Sequence, residues 1–207
     1  MIGILRWIVE LGRMDICYEV SMLASQMVLP RMGHMTQVLH IVPYLRPHHN
    51  AEMLLDPSEP EFDMNVTFSR EDWSDTVCGD IKEELPHNNP ETRGFGFKIV
   101  IYIDSYHAGD NITRPSRTGF VVFLNSSPIY WTSKKQISTS TFDSEIIALK
   151  TAYEYTRGLR YKLRMMGIPC DFPTLIFGDY KSVLTNSLVP DSVLIKKSAH
   201  IAYSFVC

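Results

Sequence analysis

The chain has 207 residues and a mass of 23.7 kDa, enough for one ordinary domain with an appendage. Hydrophobic residues make up 45% and charged residues 21%, with a net charge of -3. These values exclude a mostly disordered chain and the strongly basic footprint that marks a nucleic-acid binder by composition alone.

No apolar run reaches the ~18–20 residues that span a bilayer. The opening Met1-Ile2-Gly3-Ile4-Leu5 meets Arg6 at once and lacks a small-residue cleavage site. An intracellular protein, cytoplasmic or nuclear, neither secreted nor membrane-bound, is therefore expected. The sequons at Asn65, Asn111 and Asn125 are then chance matches. Cys17, Cys78, Cys170 and Cys207 lie far apart with no C-x-x-C pair, which argues against a zinc site or a disulfide framework.

In chain order, Asp15 to Leu29 carries Ile16, Val20, Leu23 and Met27 at helical spacing, and Pro30 ends the pattern. His34 to Leu45 carries Val38, Ile41, Val42 and Leu45. Pro43 inside it predicts a kink or a shortened helix. Two such helices make a poor core alone and read as a piece of something larger. Residues 57–94 hold Pro57, Pro60, Pro86 and Pro90 with many acids, the texture of an irregular linker with a solvated acidic surface.

From residue 95 the period switches to strands. Phe95, Phe97, Ile99, Ile101 and Ile103 line one face, with Val100 and Tyr102 on the other, so a strand buried on both sides is predicted. Thr118 to Leu124 and Ile129 to Ser133 are two further strands around a hairpin turn at Asn125-Ser126-Ser127-Pro128. A long helix follows over Thr141 to Met165, with Ser140 or Thr141 as N-cap and Gly167 and Pro169 closing it. Thr174 to Phe177 reads as a short strand and Lys181 to Leu188 as a helix. A weak helical pattern runs from Val193 to Val206. Three strands, helix, strand, helix predict a mixed α/β layer fold.

Three acids occupy chemically telling places. Asp104 follows the first strand and Asp179 follows the last across Gly178. Ligands in open sheets with helical crossovers gather beyond such strand ends. Glu145 opens the series Leu149, Ala152, Thr156, Leu159, Leu163, a core-facing stripe and an odd place for an unpaired acid. Taken singly, an Asp closing a strand is a turn or cap residue, and a Glu in a first turn serves the helix dipole. Brought together, the acids raise one another's pKa, and oxygen-only ligands select Mg²⁺ or Mn²⁺.

Longer blocks carry a resemblance. Tyr102 to Asp110 with Arg114 to Gly119, Pro128 to Gln136, Ser138 to Lys150, Gly158 to Arg164, Phe177 to Val183, and Lys196 to Phe205 follow one another in order. They resemble the ribonuclease H domain of copia-type LTR retrotransposon polyproteins. Gly3 to Ile16, Glu19 to Leu23, His34 to His49 and Asp56-Pro57 resemble the stretch after the polymerase palm in the same polyproteins. The polymerase's own Asp-Asp pair is absent, so no DNA synthesis is expected.

The resemblance implies three parts. Residues 1–56 are a helical remnant of the connection, 57–94 a linker, and 95–207 a C-terminally short ribonuclease H-like domain with a mixed sheet and crossover helices. It also implies hydrolysis of the RNA strand of an RNA–DNA hybrid. Asp104, Glu145 and Asp179 stand at catalytic, metal-holding positions, in a two-metal reaction where one ion activates water and the other steadies the leaving oxygen. Asp104 would bridge both ions. The family's fourth carboxylate is replaced by His200, a poor Mg²⁺ ligand when neutral, and Ser204 replaces a histidine of the closing motif. The two-metal site is therefore expected to be compromised. Two readings follow, a Mg²⁺-dependent endoribonuclease or an inactive remnant that keeps the fold and at most binds nucleic acid or protein weakly. Arg157, Arg160, Lys134 and Lys135 are weak candidates for phosphate contact, and the Tyr130-Trp131 pair reads as core.

Overall fold

A four-stranded sheet in the order β3-β2-β1-β4 organises the chain, with β1 at Ile99–Tyr106, β2 at Ser116–Leu124, β3 at Ser127–Gln136 and β4 at Leu175–Phe177. The computed structural model describes residues 1–62, 85, 87–107 and 115–188. Neighbours β1–β2 and β2–β3 are antiparallel, and β4 joins β1 in parallel through the crossover helix α4, Thr141–Met165. The result is the expected mixed α/β layer, consistent with a ribonuclease H-like fold.

Alternation along the strands sorts the side chains. Ile99, Ile101 and Ile103 of β1 and Phe120 and Val122 of β2 face α4, where Ile146, Leu149, Ala152 and Leu163 meet them in the main core. Val183 of α5, Lys181–Leu188, closes the same cluster. The β2–β3 hairpin turns on Asn125, a non-glycine residue at φ 53°, a conformation that Asn tolerates better than most. Gly167, at φ 76°, ends α4 as predicted, and its carbonyl accepts from the Arg93 amide at 2.8 Å.

The first strand starts later than the alternation predicts. Phe95 is 95% exposed and pairing begins at Ile99. The reason lies in the neighbouring strand. β2 ends at Leu124, and the turn residue Asn125 engages both backbone groups of Lys98, so the β1–β2 ladder goes no further toward residues 95–97. On the other face of β1, Val100 is buried but Tyr102 is half-exposed, so burial on both sides holds for only part of the strand.

The front of the chain forms α1 at Ile2–Glu10, a 3₁₀ turn at Met14–Ile16, α2 at Cys17–Ser25 and α3 at Met32–Leu45. The first of these was not anticipated from the sequence. Pro43 neither shortens nor ends α3, which runs on to Leu45. A proline in the last turn loses one intrahelical hydrogen bond without a following helix to disrupt. Leu5, Val9, Ile16, Val20, Leu23, Val38 and Ile41 build a second core, completed by Trp131 of β3. The helices therefore dock on the sheet face opposite α4. The Trp131 indole donates to the Val9 carbonyl at 3.1 Å, and Ser21 Oγ donates to the Ser133 carbonyl at 2.5 Å.

The stretch read as linker is tied down where it is described. Asn125 donates to the Pro57 carbonyl at 2.8 Å, Ser127 to the Asp56 carbonyl at 2.7 Å, and Lys98 pairs with Glu59 at 2.6 Å. Phe62 then stacks on Phe177, which stacks on Tyr102. Proline-rich texture here marks irregular backbone, and side-chain bonds to the hairpin fix its path. The pattern at Val193 to Val206, with His200, Ser204 and Lys196-Lys197, lies outside the described residues, as do Cys78 and Cys207.

Candidate metal centre

Register brings the two aspartates together. Tyr102 of β1 pairs with Phe177 of β4, and Asp104 and Asp179 each lie two residues beyond that pair. Parallel strands carry both acids past the same sheet end. Gly178 allows the close approach, since a Cβ there would meet Ile103 Cγ1 at 3.1 Å, tighter than ordinary packing.

The third acid comes from the root of α4. Ser140 caps that helix by accepting from the Asp143 amide at 3.2 Å. Gln136 at the end of β3 donates to the Ser144 carbonyl at 3.1 Å while its side-chain oxygen accepts from the Thr118 hydroxyl. Ser105, next to Asp104, donates to Ser144 Oγ at 3.0 Å, and Ser144 donates to the Thr141 carbonyl at 2.7 Å. The Phe142 and Tyr180 rings meet edge to face at 6.4 Å. Residues near one acid are thus tied to residues near another. The helix root cannot rotate away from the strand ends without breaking these links. Asp143, buried beside Glu145, accepts from the Thr139 hydroxyl.

One carboxylate oxygen from each of Asp104, Glu145 and Asp179 lies within 4.8 Å of the other two. Glu145 is 5% exposed, whereas both aspartates open to solvent. Burial pushes the Glu145 carboxyl pKa up. The charges of Asp179 and Asp104 push the same way, and the Ser105 hydroxyl opposes them. The donors are all hard carboxylate oxygens, the set that suits Mg²⁺ or Mn²⁺. A single ion about 2.1 Å from each oxygen keeps its ligands within about 4.2 Å of one another. A small side-chain rotation closes the remaining gap, or the three groups share two ions. The residues fit a hard dication.

The phosphate-contact candidates divide. Lys134 and Lys135 are exposed on the edge strand β3. Arg157 is exposed, with its guanidinium 6.0 Å from the Tyr153 ring. Arg160 donates to the Cys170 carbonyl at 2.7 Å and the Phe172 carbonyl at 2.8 Å, so its guanidinium fastens the end of α4 to the loop before β4. Tyr130 packs in the main core and Trp131 against the helical one. Arg117 is a further candidate for phosphate contact. It is buried on the sheet face opposite α4, and nothing in its spacing marked it out.

No family model matches the chain. Among curated proteins, it is 27% identical over 115 residues to the "Retrovirus-related Pol polyprotein from transposon RE2" of Arabidopsis thaliana. This likeness supports an origin in a retrotransposon polyprotein. It covers 55% of the chain but 8% of that relative, so the chain spans a small part of the polyprotein it resembles. Among the described residues, no helix is long and apolar enough to cross a membrane.

Proposed function

We propose that residues 95–207 are a ribonuclease H-like unit from the Pol region of a copia-type element, with metal-dependent hydrolysis of the RNA strand of an RNA–DNA hybrid as its activity. The observation that carries this reading is the convergence of Asp104, Glu145 and Asp179 within 4.8 Å from two strand ends and one helix root. A dication held there supplies water activation and neutralises charge on the leaving oxygen. The chain's own part is positional. Asp104 and Asp179, open to solvent, face an incoming phosphodiester. Glu145, held from behind by the Ser105–Ser144 link, anchors the site in the low-dielectric interior.

A second reading, an inert remnant that keeps the fold, draws on His200 at the place of a fourth carboxylate. The two separate in one assay. A labelled RNA–DNA hybrid is incubated with the protein and Mg²⁺ or Mn²⁺, with chelator and Asp104→Asn as controls. Cleavage that is lost with chelator, and that falls at least a hundredfold in the variant, supports the nuclease. No cleavage by the wild-type chain leaves the remnant, and cleavage unchanged by Asp104→Asn refutes the assigned site.

A further inference from the structure

Between α2 and the outer face of β1, β2 and β3 lies an open cavity of about 340 Å³, with Asp104 of the acidic cluster at its wall. Arg117 lines it and is 3% exposed. Its Nη2 donates to Ser21 Oγ at 2.8 Å, and its guanidinium lies 5.8 Å from the Tyr18 ring. Nε and Nη1, which carry most of the guanidinium's donors, are buried with no hydrogen-bond partner. Burial works against the charge. No carboxylate among the described residues offsets it. Arg117 takes part in none of the ion pairs among the described residues. Lys135 stands directly opposite on β3, a like charge across the strand pair.

An uncompensated buried guanidinium is destabilising, and donors left unmade add to that. A bound oxyanion relieves both. The remaining walls narrow the choice of anion. Tyr18 and Tyr106 present half-exposed rings around the opening, surfaces suited to the π-face of a base. Asp104 sits one diagonal step along the sheet from Arg117, because Asp104 pairs with Gly119 and Arg117 with Tyr106. A group held by Arg117 therefore lies beside the acids. Gly119 between them carries no side chain and keeps that route open.

The geometry points to a nucleotide subsite in this cavity, with Arg117 holding a phosphate of a nucleic-acid strand and the tyrosines taking its base. The choice of a strand over a free nucleotide rests on the phosphodiester-cleaving reading above, whereas the phosphate site itself does not. Titration in chelator, so that no metal bridges phosphate to the acids, isolates the site. Intrinsic tryptophan fluorescence is the readout, since Trp131 lines the cavity. Inorganic phosphate and AMP should give saturable changes in the wild-type chain, and adenosine at least tenfold weaker binding than AMP.

Arg117→Met keeps an unbranched apolar stem without the guanidinium and should weaken AMP at least tenfold. Gly119→Leu, which fills the cavity with Arg117 intact, should do the same. A single-stranded dT octamer should bind at least tenfold tighter than AMP, and equal affinities overturn the strand as occupant. Absence of any saturable phosphate or AMP response in the wild type, or an equal response in Arg117→Met, overturns the subsite. Hybrid left uncut while the AMP response persists sinks the nuclease alone. Hybrid cut by a chain with no AMP response sinks the subsite alone.

Discussion

Glu145 shows how one side chain couples charge to folding. Its carboxyl pKa stands above the ordinary value in the folded chain because burial and two neighbouring aspartates disfavour its ionised form. Below about pH 4.3 the group is protonated both folded and unfolded and has no effect on stability. As pH rises, the unfolded chain releases the proton first, so stability falls until the folded pKa is passed and the full penalty remains above it. Glu145→Gln removes the ionisation and keeps the shape. In chelator it should melt higher than wild type at pH 7.5, with the gain vanishing near pH 4. Mg²⁺ at pH 7.5 should raise the melting temperature of the wild type more than that of the variant. A gain of equal size at both pH values would trace to packing and remove the repulsive cluster from the account.

At the scale of elements, α4 was legible to the residue. A serine cap, a stripe of period three and four, and Gly167 with Pro169 all mark Thr141–Met165 without reference to anything else in the chain. The start of β1 was not, since it depends on where β2 stops, and that is set by Asn125 across the ladder. Helix α1 escaped because Leu5 and Val9 are its only buried positions, while Ile4, Trp7 and Leu11 scatter apolar character around its surface. The acids were legible as candidates from strand ends and a helix root. Their meeting point required the parallel β1–β4 register, and Arg117 required the helices folded over the sheet. Arg160's bonds to the Cys170 and Phe172 carbonyls likewise depend on how the chain folds back after α4, and its charge alone does not reveal them. Those bonds seal the turn between α4 and β4. Arg160→Met should therefore lower stability by about 1.5–3 kcal/mol, the usual range for hydrogen bonds that involve a charged group. Urea unfolding measures it, and a change below about 0.5 kcal/mol, the level of an ordinary surface substitution, would mean the clamp carries no weight.

Across the whole molecule, two cores share one sheet. The main core lies between β1, β2 and α4, and the smaller one between the front helices and the outer face of β3. Trp131 joins the second to the sheet, its partly buried ring packing against the helices while its indole donates to the Val9 carbonyl. A helical layer of this size has too little apolar surface to stand alone. Its stability is therefore borrowed from the sheet, and the chain should unfold in urea as one cooperative unit, with tryptophan fluorescence and far-ultraviolet circular dichroism tracing the same transition. Trp131→Ala deletes the shared side chain. For a ring that is only partly buried, the loss should be about 2–3 kcal/mol, below the ~3–5 of a fully enclosed tryptophan. Because that loss falls on the seam between the layers, the two probes should then separate, the helices melting at lower urea than the sheet. Two transitions already present in the wild type would show that the layers fold independently. In that case the cavity holding Arg117, whose walls come from both layers, would open and close with the helices and not with the sheet.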